Sequence, residues 1–145
     1  MSSTEGLSES LEDYLEVILA LQTTQTVARS KEIARKMDIQ RGSVTGMLKK
    51  LAAQGLIHYE PYGYVTLTLA GEKIAREIES RHIFLKDFLF RLVGVTEQTA
   101  DETACRMEHA MNRPTFKKFK AFVSLVDACP HCSTKRASQE GIHGE

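Results

Sequence analysis

The sequence predicts a mainly α-helical fold: an N-terminal winged helix-turn-helix with a two-stranded wing, followed by a helical domain. Apolar residues recur at helical spacing over most of the chain. Two short amphipathic segments, residues 30–37 and 41–53, are separated by only three residues, which is typical of a helix-turn-helix. Residues 56–68 then alternate and contain the turn sequence Pro-Tyr-Gly-Tyr, which indicates a β-hairpin.

Composition narrows the classes of protein to consider. A chain of 145 residues forms one domain or two very small ones. Its 19 basic and 19 acidic residues cancel, so the total charge indicates no partner. There is no signal-peptide pattern, and no apolar run approaches the roughly 18 residues of a membrane span. Three cysteines are few for a disulfide-stabilised protein. We therefore expect a cytoplasmic protein with no membrane contact.

The first helix is expected over residues 8–23, with Ser8 or Ser10 as its N-cap. Residues 23–30 are expected to form a turn or a short strand. Gly55 is expected to end the second helix of the helix-turn-helix. The expected core positions of this part are Leu11, Tyr14, Leu15, Ile18, Leu21, Ile33, Ala34, Met37, Val44, Leu48 and Leu51.

Three further helices are expected after the hairpin, from Leu69 to about Leu92, over residues 97–111 and over residues 114–127. Their expected buried positions are Ile74, Ile78, Leu85, Phe88, Leu92, Phe116, Phe119, Val123 and Val126. The predicted domains are residues 1–71 for the winged helix, 72–128 for the helical domain and 129–145 for a polar tail.

Charge is unevenly distributed along the chain. From Arg29 to Glu60, seven basic residues outnumber three acidic ones, a net charge of +4. From Val95 to Asn112, four acidic residues outnumber a single arginine. The neutral total therefore conceals a basic half and an acidic half, which suggests two different binding tasks.

The helix over residues 41–53 carries small polar groups and cations opposite its apolar face. Such side chains suit the base edges and phosphates of a DNA major groove. The candidate DNA contacts are Arg29, Ser30, Gln40, Arg41, Ser43, Thr45, Lys49 and Tyr64. The cations alone could equally form a solvated face, but the complete order of helices and hairpin favours DNA binding.

Residues 103–111, Thr-Ala-Cys-Arg-Met-Glu-His-Ala-Met, contain three potential metal ligands. Cys105, Glu108 and His109 share one face of a helix. Thiolate, carboxylate and imidazole are common ligands of transition metals. The spacing alone leaves another interpretation open, because a single cysteine is more often a small buried residue.

Two other segments hold candidate ligands. His82 lies on the predicted long helix, and Asp13 and Glu16 lie three residues apart on the first helix. A single histidine on an amphipathic helix is more often a packed or surface residue, and acids in a first turn are favoured by the helix dipole. Spacing therefore assigns none of these three residues to a metal.

The chain resembles the iron- and manganese-dependent repressors of the diphtheria toxin repressor and manganese transport regulator family. The resemblance runs from about Ser10 to Met111 and rests on the segments EDYLEVILAL, GSVTGMLKKLAAQGLI, LTLAGEKIA, RHIFLKDFL and ETACRMEHAM. It implies a winged helix, then a helical dimerisation and metal-binding domain, and a homodimer that binds double-stranded operator DNA. The ligand set that it implies is Asp13, Glu16, His82, Cys105, Glu108 and His109.

Departures from the family pattern bear on the metal. The iron-responsive branch usually has methionine at the position of Asp13 and cysteine at that of Cys105, whereas the manganese-responsive branch has aspartate and glutamate. Because a thiolate suits Mn²⁺ poorly, we expect Fe²⁺, with Mn²⁺ as the alternative and Zn²⁺ or another divalent ion binding in vitro. The ancillary site of the iron branch is not expected, since its glutamate and histidine are replaced by Lys86 and Asp101.

The tail contains Cys129, His131 and Cys132, a possible second metal or redox site. A Cys-x-x-Cys pair with a histidine can bind zinc or act as a dithiol. A closed zinc site needs four ligands, which a dimer or His143 could supply. The other interpretation is a solvent-exposed tail, disordered beyond Cys132, without such a function.

The resemblance thus implies a metal-activated DNA-binding repressor of metal-uptake genes, and the sequence predicts no enzyme. We expect apolar side chains of residues 81–94 and of the helix over residues 97–111 to form a dimer surface. A metalloenzyme built on the histidines and Glu108 would lack a separate general base and an oxyanion donor. Two non-enzymatic alternatives are a winged-helix regulator that senses oxidation through its cysteines and an adaptor that contacts proteins.

Overall fold

A computed structural model describes residues 7–25, 27–60 and 63–132. The chain forms two compact units, Met1–Arg81 and His82–Glu145. The elements in chain order are α1 (Glu9–Gln25), β1 (Ala28–Arg29), α2 (Ser30–Met37), α3 (Arg41–Ala53), β2 (Ile57–Tyr59), β3 (Tyr64–Leu67), α4 (Leu69–Asp87), a π-helical segment (Phe88–Val93), α5 (Glu97–Ala110) and α6 (Arg113–Ala128). The predicted mainly helical winged helix-turn-helix is confirmed.

The first helix begins at a serine cap, as predicted. Ser8 Oγ accepts the backbone N–H of Leu11 at 3.4 Å, which satisfies one of the amides that a helix start leaves without a partner. The helix runs two residues further than predicted, to Gln25. Its apolar face forms part of the first unit's core and comprises Leu11, Tyr14, Leu15, Ile18, Leu19 and Leu21.

The helix-turn-helix has the predicted bounds, and its turn depends on one left-handed residue. Asp38 has φ 54° and ends α2, and the next amide, that of Ile39, donates to the carbonyl of Ala34 at 3.0 Å. Aspartate tolerates this backbone conformation better than bulky side chains do. The turn brings α2 and α3 together over a shared core, in which Val44 and Leu48 are fully buried.

The sheet contains three strands: β2 and β3 form the predicted two-stranded wing, and β1 is the short strand that the sequence left open as an alternative to a turn. The antiparallel order is β1-β3-β2, with Ala28 of β1 opposite Val65 of β3. The extra strand has only two residues, which is too short to leave an alternating pattern in the sequence. Ala28 is fully buried, so packing as well as pairing holds it in the sheet.

The chain enters α4 by a close backbone approach at Gly71. A Cβ atom at this position would collide with the carbonyl oxygen of Leu56. Thr68 supports the same corner, because its hydroxyl donates to the carbonyl of Gly55 at 2.7 Å and accepts the amide of Gly71 at 3.1 Å. A residue without a side chain is therefore required where α4 begins.

The end of the long helix differs from the prediction. The chain winds as a π-helix after Asp87, and the amide of Gly94 donates to the carbonyl of Leu89 at 3.0 Å, five residues back. The wider turn changes which side chains point inward. Leu89 is buried, whereas the predicted core residues Phe88 and Leu92 are only partly buried.

The second unit has a small core between three helical segments. Its buried residues are Leu85, Leu89, Ala100 and Ala104. Phenylalanine rings surround them in edge-to-face pairs, with centroids 5.7 Å apart for Phe84 and Phe116 and 5.1 Å for Phe88 and Phe119. On α6, Val123 is buried as predicted, but Phe116, Phe119 and Val126 are only partly buried. Within the described ranges, no helix is long and apolar enough to cross a bilayer.

Candidate metal centre and nucleic-acid interface

Helix α5 places three potential ligands side by side. It begins at Thr96, whose side chain accepts the amide of Thr99 at 3.2 Å. One donor atom each from Cys105, Glu108 and His109 lies within 4.8 Å of the other two. Donor atoms that share one ion at about 2.0–2.3 Å lie no more than roughly 4.6 Å apart, so small side-chain adjustments would bring all three to one metal ion.

Helix α4 places another imidazole beside one member of this group, Glu108. His82 Nδ1 lies 2.8 Å from Glu108 Oε2. Glu108 is 1% exposed. Burying a carboxylate costs much free energy unless a cation or hydrogen-bond donors lie beside it. His109 Nε2 lies 3.3 Å from the other oxygen of Glu108. The buried carboxylate therefore has an imidazole on each side.

His82 has a second carboxylate partner. Its Nε2 lies 2.8 Å from Asp101 Oδ1, and Lys86 Nζ lies 3.4 Å from the same oxygen. The hydrogen bond from His82, aided by Lys86, lowers the pKa of Asp101 below its usual value. The hydrogen bond to Asp101 in turn raises the pKa of Lys86. The spacing of Asp101 and Lys86 in the sequence did not indicate this contact.

The donor set fits a divalent transition metal. Helix α5 supplies a soft thiolate, a hard carboxylate and an imidazole, and the imidazole of His82 lies beside the carboxylate. Both nitrogens of His82 can donate to carboxylates only when the ring carries two protons. A metal bound at Nδ1 would take the place of one proton, while Nε2–H still donates to Asp101, which is the common arrangement of a metal-binding histidine.

The remaining predicted ligands lie on α1. Asp13 and Glu16 are three residues apart there and are both partly buried. Tyr14 and Leu15, between them, are core residues of the first unit. The two carboxylates thus lie at the edge of the apolar face of α1.

The Cys-x-x-Cys pair lies at the end of α6. Cys129 is the C-cap residue of that helix, and the amide of Cys132 donates to its carbonyl at 3.2 Å. Both cysteines are partly buried, and His131 is exposed. Among the described residues, neither cysteine belongs to a group of three or more potential metal ligands. His143 lies outside the part of the chain that the structure describes.

The first unit has a groove of about 630 Å³ lined by basic side chains. Five of the predicted DNA contacts line it: Arg29, Ser30, Arg41, Thr45 and Lys49. Lys31, Gly42, Tyr59 and Gly63 complete the lining. An alternating strand does not by itself indicate such a role for Tyr59, nor a turn for Gly63. Gln40 and Ser43 are exposed on the same helix start but are not part of the lining.

Tyr64 and Arg29 connect the wing to the start of α2. They face each other in the pairing of β1 with β3. Arg29 Nη2 donates to the hydroxyl of Tyr64 at 3.1 Å, and the guanidinium carbon lies 4.9 Å from the centre of the tyrosine ring. The backbone N–H of Arg29 donates to Glu32 Oε2 at 3.1 Å. These contacts hold one groove cation in a defined position.

Two family models match the chain. The N-terminal DNA-binding domain of iron-dependent repressors matches residues 6–65. The metal-binding and dimerisation domain of the same repressors matches residues 68–136. Together the two models cover most of the chain, and their order is the order of the two regions described above.

Curated relatives of the chain are transcriptional regulators as well. An uncharacterised helix-turn-helix transcriptional regulator of Methanocaldococcus jannaschii is 37% identical over 118 residues, which are 81% of this chain and 94% of the relative. The transcriptional regulator MntR of Escherichia coli O157:H7 is 36% identical over 79% of this chain and 73% of its own. The MntR regulator of Lysinibacillus sphaericus is 31% identical over 92% of this chain and 96% of its own length.

Solved structures share the fold. A manganese-dependent transcriptional repressor in complex with manganese superposes with a TM-score of 0.71 and 29% identity, over 79% of this chain and 52% of that one. The IdeR protein of T. acidophilum superposes with a TM-score of 0.68 and 27% identity, over 87% of this chain and 58% of that one. The chain thus spans little more than half the length of these solved proteins. It belongs to the diphtheria toxin repressor and manganese transport regulator family of metal-dependent transcriptional repressors.

Proposed function

We propose that this chain is a metal-activated repressor that binds a palindromic operator as a homodimer and controls metal-uptake genes. The observation that carries the proposal is that Cys105, Glu108 and His109 each bring one donor atom within 4.8 Å of the other two, and that His82 Nδ1 lies 2.8 Å from the buried Glu108. The basic groove of the first unit supplies the second half of the function, since its cations suit DNA phosphates. Residues 1–71 would then be the DNA-binding domain and residues 72–128 the regulatory one.

The proposed ligands are Asp13, Glu16, His82, Cys105, Glu108 and His109. The donor chemistry of the last four supports their part of the set, and the resemblance adds the two carboxylates of α1. A metal ion held by both groups would tie α1 to the regulatory domain. Binding energy that favours one arrangement of the two domains shifts the population toward it, which is how the metal would favour the DNA-binding state.

The proposed metal is Fe²⁺, with Mn²⁺ as the alternative. Cys105 supports Fe²⁺, because thiolate ligands favour the later and softer divalent ions. Asp13 and Glu16 favour Mn²⁺, and several relatives are named as manganese regulators or were solved with manganese. A Zn²⁺ ion would also be accommodated by this donor set in vitro.

The proposed DNA contact uses the start of α3. Arg41, Thr45 and Lys49 lie one turn apart on the helix side that lines the groove. They are suited to base edges and phosphates in the major groove, and Ser30, Gln40 and Ser43 would contact the DNA beside them. Arg29 and Tyr64 would contact the sugar-phosphate backbone from the wing.

An exposed apolar surface in the second unit supports the proposed homodimer. The exposed large apolar residues there are Ile83, Phe90, Val93, Phe122 and Leu125. They lie on α4, the π-helical segment and α6, whereas the sequence led us to expect α5 to contribute. A surface of this kind is buried most readily against a second copy, and a two-fold dimer would place two copies of α3 on two half-sites.

The test is metal-dependent DNA binding without oxygen. Duplexes would be selected from a random pool by metal-loaded protein, and the selected duplex would be titrated with metal-free, Fe²⁺-loaded and Mn²⁺-loaded protein. We expect metal to tighten binding by about 5–150-fold, the usual range of allosteric coupling. Peroxide-treated protein serves as the control for oxidation sensing.

Two results would contradict the proposal. Equal affinity of the metal-free and metal-loaded protein would remove the switch. Affinity that responds to peroxide while metal has no effect would favour thiol sensing instead. A selected duplex that lacks two-fold symmetry would contradict the dimeric reading of DNA but leave metal activation standing.

A further inference from the structure

A lysine lies beside the proposed metal centre. Lys86 follows His82 by one turn of α4, so both side chains project from the same face. Its ammonium lies 3.4 Å from Asp101 Oδ1 and 3.5 Å from Glu97 Oε1. Both carboxylates belong to α5, the helix that also carries Cys105 and Glu108.

The stability of the fold does not explain this arrangement. The side chains of Asp101 and Glu97 are more than half exposed, and ion pairs of that kind contribute little to stability. What distinguishes the pair is its neighbour: the same Asp101 oxygen that faces Lys86 lies 2.8 Å from His82 Nε2. The lysine is therefore one contact away from a proposed ligand.

Without the lysine, this edge of the centre could itself hold a cation. His82 Nε2 and Asp101 Oδ1 lie 2.8 Å apart, and an imidazole and a carboxylate are both ligands of divalent transition metals. A metal ion there would compete with Asp101 for Nε2 and turn the imidazole into a bridge between two ions. The ammonium of Lys86 already pairs with both carboxylates and would repel a second cation.

We propose that Lys86 is a fixed cation that takes the place of a metal ion on the Nε2 side of His82. It keeps a second metal out, and it holds Asp101 as the acceptor for Nε2–H so that Nδ1 faces Glu108. Lys86 is thus a positioning residue for the metal centre. This inference rests on the proposed function, because it assumes that His82 binds a metal through Nδ1.

The test is metal stoichiometry and affinity with Mn²⁺ alone, measured by native mass spectrometry and titration calorimetry. Lys86→Glu replaces the cation with a third carboxylate and is expected to bind one more Mn²⁺ per chain than the wild type. Lys117→Glu makes the same charge change at an exposed position of α6 and is expected to leave the stoichiometry unchanged. An unchanged stoichiometry for Lys86→Glu would overturn the exclusion of a second metal.

Two further variants test the positioning role. Lys86→Met removes the charge, so Asp101 is held less firmly and Mn²⁺ affinity should fall, by less than the roughly 10–100-fold that loss of a direct partner of a metal ligand costs. Lys86→Arg keeps the cation and is expected to restore wild-type affinity. Wild-type affinity in Lys86→Met would overturn this role. If the wild type itself bound no Mn²⁺, Fe²⁺ or Zn²⁺, the proposed function would fail instead.

Discussion

Nδ1 of His82 lies 2.8 Å from Oε2 of Glu108, although the two residues are 26 positions apart and lie on different helices. The carboxylate is fully buried, and the imidazole is mostly buried. A buried carboxylate is stabilised by a cation or by hydrogen-bond donors. A cation bound beside this pair would therefore stabilise the buried carboxylate.

Neutralising Glu108 should impair metal binding. Glu108→Gln keeps the shape of the side chain but removes the charge and one acceptor, so the affinity for Fe²⁺ or Mn²⁺ should fall by more than the roughly 10–100-fold that an outer-shell partner costs. Calorimetric titration would measure it. Glu102→Gln, at an exposed position of the same helix, is the control and should bind like the wild type. Equal affinities for the two variants would exclude Glu108 as a ligand.

Replacing the thiol should change metal preference. Cys105→Ser exchanges a soft sulfur for a hard oxygen, so Fe²⁺ affinity should fall by at least roughly tenfold while Mn²⁺ affinity changes less. Anaerobic competition with a chelating dye would measure both ions.

The paired variant Cys129→Ser/Cys132→Ser separates the tail from this centre and should leave the preference unchanged. If Cys105→Ser binds Fe²⁺ as tightly as the wild type, the thiol is not a ligand. If the tail variant alone loses a metal ion, the second site lies at the end of α6.

Removing a groove cation should weaken DNA binding at every sequence. Lys49→Ala removes one phosphate contact, so the slope of log affinity against log salt should become less steep by about 1. Fluorescence anisotropy at several salt concentrations would measure it. Lys73→Ala makes the same charge change at an exposed position of α4 outside the groove. Equal slopes for the two variants would show that only the total charge matters.

A charge on the apolar surface of α6 should dissociate the dimer. Leu125 is 73% exposed, so Leu125→Glu does not disturb the core of one chain but would bury a carboxylate in the proposed interface. Sedimentation analysis should then show a monomer. Leu69, which is 89% exposed in the first unit, provides the control variant Leu69→Glu. A dimeric Leu125→Glu protein would place the interface elsewhere.

Two glycine substitutions should have opposite effects on stability. Gly71→Ala forces a Cβ against the carbonyl of Leu56 and should cost about 1–3 kcal/mol, as overpacking usually does. Gly46→Ala adds a methyl group in open space on α3 and should stabilise by about 0.5–1 kcal/mol. Urea unfolding would measure both. A Gly71→Ala protein as stable as Gly46→Ala would show that the corner relaxes without cost.

The features predicted correctly from the sequence are mostly properties of single elements. The bounds of α2 and α3 and the buried faces of Val44 and Leu48 follow from apolar spacing on one helix. Cys105, Glu108 and His109 share a face because a helix turns once in 3.6 residues. Each of these patterns is local, so it can be recognised without knowing the packing.

Contacts between elements were decided by the tertiary structure. The pairing of Ala28 with Val65, the π-helical turn at Leu89 and the contacts of Asp101 with His82 and Lys86 all depend on how separate segments pack. No spacing in the chain encodes them, because partners distant in sequence meet only when burial and hydrogen bonding repay the entropy of bringing them together. The sequence by itself determined the helices and the residue types available for a metal and for DNA, whereas packing determined which of those side chains face each other.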